Sequence, residues 1–305
     1  MKKRRLLMAF SKQKLTKMKS KLLEIESILD ALNTQIFGAN QLKKLLREIA
    51  NEHFRNENIS IENLKIFLIE NCGLSKVGFQ TPRLETLYLW RRVDAYNLMP
   101  AIRSRGYYTH LTALFLHGLL DYEPASVYFN NEQPARPKGG GGLEQSRIDN
   151  AFKNKQRITT AKTDYENKVY WLLNGKQTGN YGVISIKTPS GIDVPVTNLE
   201  RTLIDIAVRP AYCEGVALVL KAFKLAQPKV SLEKLIKTLE TLNYVYPYHQ
   251  SIGFYMDKAG VYTQEEIEKI KSYKPLTYNF YLDYQMINPA YSEKWKLYYS
   301  QDLAD

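Results

Sequence analysis

The sequence predicts a mixed α+β chain with a small N-terminal part and a larger body whose last third is mainly helical. Three observations predict this: helical spacing of apolar residues over 20–71, strand-like runs punctuated by glycines over 76–196, and renewed helical spacing from 198 to 271. The 305 residues are 44% hydrophobic and 12% aromatic, enough to bury a sizeable core and to suggest two domains or one domain with an added module.

In the first part, Leu22, Ile25, Ile28, Leu29 and Leu32 recur at helical spacing and predict an amphipathic helix over 20–33. Residues 40–54 repeat the pattern with Leu42, Leu45, Leu46 and Ile49 inward, which leaves Lys43, Lys44 and Arg47 outward. Ser60 is a favourable N-cap for a third helix running to about Asn71. Ile59 and Leu64 are spaced for a hydrophobic staple across it, and Gly73 is a natural stop. Strand-like runs Lys76–Gln80 and Leu84–Trp90 follow, joined through Thr81, Pro82 and Arg83. Three short helices and then a hairpin is the element order of a winged helix-turn-helix, which sets its third helix in the major groove and its hairpin against the backbone. The residues placed to meet double-stranded DNA are Lys43, Lys44, Arg47, Asn63 and Lys65 on the helices, Lys76 and Arg83 at the wing, and Arg91 and Arg92 beyond it. Glu62 and Glu70 on the third helix oppose phosphate. The expected division is a disordered basic tail over 1–19, the winged helix over 20–92 and a second domain over 93–305.

The net charge of +12 is uneven, because residues 1–21 hold nine Lys/Arg and no acid. Such a tail adds salt-sensitive, sequence-independent attraction to phosphate; Met8 and Met18 offer alternative starts that would remove part of it. Cys72 and Cys213 are far apart and form no paired spacing, which fits a reducing compartment and neither a disulfide scaffold nor a metal motif. The apolar run Leu6–Phe10 is shorter than a signal-peptide core, so a soluble, cytoplasmic protein without a membrane span is expected. The 22 tyrosines suit half-buried surfaces and interfaces.

In the body, a helix is expected from Asp94 to Ser104. The stretch 107–119 reads as a helix that Thr109 caps, with Leu111, Leu114, Phe115 and Gly118 on one face; Ala125–Asn130 then alternates like a strand. Residues 134–142 (PARPKGGGG) form a loop, since four glycines do not hold regular structure cheaply. Strands follow at Lys168–Leu173, Val183–Lys187 and Ile192–Val196. Helices follow near 198–209, 213–226, 231–242, 248–259 and 263–271, and a last strand at Tyr278–Tyr284. The sharpest local signature is Val196–Asp205, where Thr197 and Glu200 fit a capping box, Arg201 and Asp205 stand four apart, and Pro210 ends the helix.

Glu200, Arg201 and Asp205 have the residue types of an acid–base site, yet a capped helix accounts for each of them without chemistry. Asp149 with Glu166, Asn167 and Lys168 has the carboxylate, Glu-x-Lys form of a metal-dependent nuclease, a form common by chance in a charged chain. His110 and His117 share a helix face but lack a third ligand for zinc. Gly139–Gly142 is followed by Leu143 where a phosphate-binding loop needs Lys, and no nucleophile elbow exists. No catalytic residue, metal or cofactor is expected, and the chain does not read as an enzyme.

Four stretches together resemble the AbiEi-type antitoxins of type IV toxin–antitoxin (abortive infection) systems. They are the helical head ending in Leu87-Tyr88-Leu89-Trp90, the segment Tyr107–Leu119 with Thr109, His110, His117 and Gly118, the segment Leu143–Phe152, and Val196–Asp205 with Glu200, Arg201, Thr202 and Asp205 followed by Pro210. The stretch Tyr246–Tyr255 is similar to longer members. The resemblance implies a phage-defence antitoxin whose winged helix binds and represses its own operator, and whose α/β antitoxin domain counters a cognate nucleotidyltransferase toxin. Residues 1–19 and the acidic touch on the third helix depart from the family pattern. A metal-dependent nuclease and a protein-interaction scaffold without DNA binding remain the alternatives.

Overall fold

A computed structural model describes residues 12–80, 85–135 and 142–303. The chain has a mixed α+β fold and divides into two compact units. The first comprises the described residues of Met1–Ser104 and Ala161–Tyr165, the second those of Arg105–Thr160 and Glu166–Asp305. The first unit thus extends past the expected boundary at 92 and takes back a short later segment. Each has its own apolar core, one drawn from residues 18–90 and the other from 111–303.

The first unit begins with α1 (Lys12–Ser20) and α2 (Leu22–Asp30). The tail expected to be disordered over 1–19 is therefore helical from Lys12 onward; residues 1–11 lie outside the described residues. The reason is local: Met18 is wholly buried and Leu15 packs on the same core, so α1 has an apolar stripe despite its lysines. Then come β1 (Ile36–Gly38), α3 (Ala39–His53) and α4 (Ile61–Asn71), followed by β2 (Leu74–Phe79) and β3 (Glu85–Trp90). The sheet order is β1-β3-β2, antiparallel throughout, with Ile36 opposite Leu89 and Leu74 opposite Trp90. A helix, a short strand, two helices and a hairpin closed by that short strand is a winged helix. Asp30 locks the end of β3, its carboxylate accepting from Trp90 Nε1 at 2.7 Å and pairing with Arg91 at 2.8 Å. The unit is completed by α5 (Ala95–Ile102), whose N-cap Asp94 accepts from Tyr96 N, and by β6 (Lys162–Tyr165), where Thr163 donates to the Gly78 carbonyl.

In the second unit, strands β4 (Tyr107–Tyr108), β5 (Ser126–Asn130), β7 (Lys168–Leu173), β8 (Val183–Lys187) and β9 (Asp193–Thr197) lie in the order β7-β5-β4-β9-β8. The pairs β5/β7 and β4/β9 are parallel, while β4/β5 and β8/β9 are antiparallel. Helices α6 (His110–Leu116), α8 (Leu199–Val208), α9 (Val216–Ala226), α10 (Leu232–Leu242), α11 (Tyr248–Ala259) and α12 (Gln264–Lys271) fall within the expected spans, whereas α7 (Gln145–Lys153) forms in a stretch expected to hold strands and turns, because Ile148 and Phe152, four apart, bury one helical face. Helix α8 is central: it packs on α6, α9, α10 and α11, and every residue from Glu200 to Ala207 is buried. The strand expected at 278–284 shrinks to β10 (Phe280–Tyr281), which joins β11 (Ala290–Ser292) and β12 (Leu297–Tyr299) in a small sheet of order β10-β12-β11. Gln250, wholly buried on α11, holds that sheet by donating to the carbonyls of Tyr278, Trp295 and Lys296. The glycine-rich loop falls mostly outside the described residues, and among these no helix is long and apolar enough to cross a membrane.

Candidate functional site

The surface expected to meet DNA divides by what each side chain already holds. Lys43, Lys44 and Arg47 are exposed along α3, and Lys76 is exposed on β2; none has an ion-pair partner among the described residues. They are four of the exposed cations of this unit without an ion pair among the described residues, beside Lys12, Lys19 and Arg55. Asn63 is not an outward reader: it is the third residue of α4, its backbone N–H donates to Ser60 Oγ at 3.1 Å, and its side-chain Oδ1 accepts from Ser60 N at 3.3 Å. Lys65 is half-buried, paired with Glu62 at 2.6 Å and set over the Tyr88 ring. Arg91 is committed to Asp30 and the Trp90 face. Arg92 is exposed just after β3, and Arg83 lies outside the described residues. What α4 shows outward is Glu62, Ile69, Glu70 and Asn71.

The signature residues of the second unit converge on the buried face of α8. The N-cap of α8 is Asn198, whose Oδ1 accepts from Arg201 N at 2.8 Å. The Thr197/Glu200 capping box expected from sequence does not form. Thr197 Oγ1 lies 2.7 Å from Thr202 Oγ1, and Glu200 accepts from Ser231 N at 3.0 Å, serving the start of α10 instead. The Arg201–Asp205 pair, spaced for an exposed helix surface, is buried, with side chains only 5% and 7% accessible and Nε to Oδ1 at 2.7 Å. Thr109 does not cap α6; its hydroxyl donates to Asp205 Oδ2 at 2.9 Å, and Thr112 Oγ1 accepts from Tyr128 N to hold α6 on β5. His117 Nε2 donates to the Thr197 carbonyl at 2.7 Å, and Gly118 follows with φ 68°, the left-handed turn that ends α6. These residues weld β4, α6, β9 and α8 into one piece.

Several partners in this network carry no local sequence signal. Arg201 also donates to the Tyr181 carbonyl, to Thr178 Oγ1 and to Tyr107 Oη. Tyr107 accepts from Asn130 Nδ2 at 2.7 Å and donates to Glu132, which also accepts from the backbone of Thr178 and Asn180. Burial pushes the Glu132 carboxyl upward, but these hydrogen bonds outweigh it and hold the group below the usual range. Burial raises the Tyr107 phenol far above its ordinary value.

Two members of the nuclease grouping already hold partners of their own. Asp149 accepts from Gln145 Nε2 and Tyr281 Oη, and Lys168 pairs with Glu123 and donates to the Pro124 carbonyl. Among the described residues no group of three or more His, Cys, Asp or Glu is placed to hold a metal ion.

His110 is 8% exposed and sits at φ 52°, a conformation that side-chain-bearing residues rarely adopt. Burial lowers its pKa to about 4, and burial with the nearby Lys274 charge lowers His249 to about 4. The unfolded chain takes up these protons near pH 6.5 while the folded chain does not, so this stability is complete above 6.5 and is lost as pH falls toward 4. Each His is worth on the order of 2–3 kcal/mol at the acid end. Urea titrations at pH 7, 6 and 5 are expected to show a falling midpoint, and His249→Gln to flatten that fall.

No family model matches the chain, and no curated protein matches it. Among solved structures it is similar to the Rv2827c protein of Mycobacterium tuberculosis, with a TM-score of 0.59 over 90% of this chain and 89% of that chain at 12% identity. That likeness is one of fold.

Proposed function

We propose that the chain is a DNA-binding regulator with an antitoxin role, an AbiEi-type protein whose first unit holds double-stranded operator DNA and whose second unit engages a nucleotidyltransferase toxin. The observation that carries the DNA part is the winged-helix topology with Lys43, Lys44, Arg47 and Lys76 exposed and without an ion pair among the described residues. The contact runs through α3 and the wing strand to phosphates, and α4 contributes little base reading because its exposed carboxylates repel the duplex. The antitoxin part rests on the four signature stretches. Their polar residues, Thr109, Glu200, Arg201 and Asp205 among them, serve as internal framework, which suits a rigid body that presents a surface to a partner.

A gel shift with the DNA upstream of the chain's own gene tests the first part. The full-length protein is expected to retard it, and the triple variant Lys43→Ala, Lys44→Ala, Arg47→Ala to bind at least tenfold more weakly; equal retardation removes α3 from the interface. Co-expression with a neighbouring nucleotidyltransferase tests the second part by rescue of growth. A protein-interaction scaffold is the second reading, favoured by the acidic outward face of α4; a stable complex with that neighbour and no retardation of any duplex would select it.

A further inference from the structure

The second unit holds a cavity of about 470 Å³ beyond the C-terminal ends of the parallel strands β5 and β7, walled on the other side by the last turn of α8. This lies within the usual size range of small-ligand sites, and the ends of parallel strands are where such ligands are bound in open sheets. Its charge is one-sided: Arg157, Lys176, Arg201 and Arg209 line it, against the single carboxylate of Asp205. That carboxylate is already committed to Arg201 and Thr109. Arg157 is exposed, Arg209 is half-buried and donates to the Arg157 carbonyl, and neither has a carboxylate partner among the described residues. Two further groups await a partner. The Nδ1 of His110, a side chain more than nine-tenths buried in the wall, has no hydrogen bond among the described residues. Arg201 has five N–H donors, of which Asp205, Tyr181, Thr178 and Tyr107 occupy four. Buried polar groups left without partners are rare, and a cluster of them under a cationic mouth is complementary to an anion. Close packing shapes the floor: a Cβ on Gly175 would stand 2.7 Å from Asn130 Oδ1, so a larger residue there would have to displace the Asn130 side chain that accepts from Gly175 N.

We infer that this cavity binds a small phosphate-bearing ligand, its phosphate held by Arg157 and Arg209 at the mouth and its inner polar edge by Arg201 and His110. The rings of Tyr212 and Tyr244 line the remaining wall and give room for an aromatic or sugar moiety. Nothing in the DNA contact of the first unit is needed for this.

Calorimetric titration of the full-length chain with AMP, inorganic phosphate and adenosine tests the inference. AMP is expected to bind and to raise the thermal midpoint, phosphate to bind more weakly, and adenosine to bind at least tenfold more weakly than AMP. Arg157→Ala, an exposed position where folding is not at stake, and Arg209→Gln are each expected to lower AMP affinity about tenfold, whereas Lys43→Ala leaves it unchanged. The inference is overturned if millimolar AMP and phosphate give neither heat nor a thermal shift, if adenosine binds as tightly as AMP, or if the Arg157→Ala and Arg209→Gln proteins bind AMP as tightly as the parent.

Discussion

Asp205→Ala is expected to cost the second unit about 3–5 kcal/mol, because it strips a buried guanidinium of its counter-charge. Arg201 cannot shed its proton, and its side chain is 5% accessible, so it keeps a charge the solvent does not reach. The same substitution removes the acceptor of Thr109, which ties the turn after β4 to α8. Replacing both partners by apolar residues, as in Arg201→Met with Asp205→Leu, is expected to cost less than the single change, since the attraction of a buried pair and its desolvation largely cancel. Denaturant unfolding followed by a probe in the second unit distinguishes these; a single variant as stable as the parent would show that the pair is not a structural element.

The second large effect concerns α11 and the small C-terminal sheet. Trp295 is 1% exposed, its Nε1 donates to Asp257 Oδ2 at 2.9 Å, and its ring lies so close over Gly253 that an added Cβ would be 2.1 Å from Cζ3. Trp295→Ala is expected to cost about 3–5 kcal/mol through the cavity it leaves. Gly253→Ala alone overpacks the contact and is expected to cost about 1–3 kcal/mol. The double variant is expected to be more stable than the sum of the two losses, because the new methyl group enters space the indole has vacated. Strict additivity of the three unfolding free energies would refute the contact.

Much of this architecture is legible in the residues because it repeats. The helices from α8 to α12 carry apolar stripes of helical period, and the pattern at 40–54 names Leu42, Leu46 and Ile49 as core, which they are. Strands of two or three residues leave no such trace. β1 and β4 are too short to alternate, and β11 and β12 take form only by pairing with each other and with β10. The site residues divide the same way. Arg201 and Asp205 are visible as a pair four apart, but nothing local says that α8 is wrapped on every side, which turns a surface pair into a buried one. Asn63 looks like an outward polar side chain, although its place three residues after Ser60 marks it as a capping partner. Glu132, Asn130 and Tyr107 meet Thr178 and Arg201 across long stretches of chain, so only the folded sheet brings them together.

The α3 cations give the most direct measurement. Binding of the full-length protein to its upstream duplex, followed by fluorescence anisotropy over a range of salt, should show an affinity falling steeply with salt; in the Lys43→Ala, Lys44→Ala, Arg47→Ala protein the log–log slope should be shallower by about one unit for each cation removed. An affinity indifferent to salt, or a slope that the triple substitution leaves untouched, would contradict a winged helix that grips phosphate through α3.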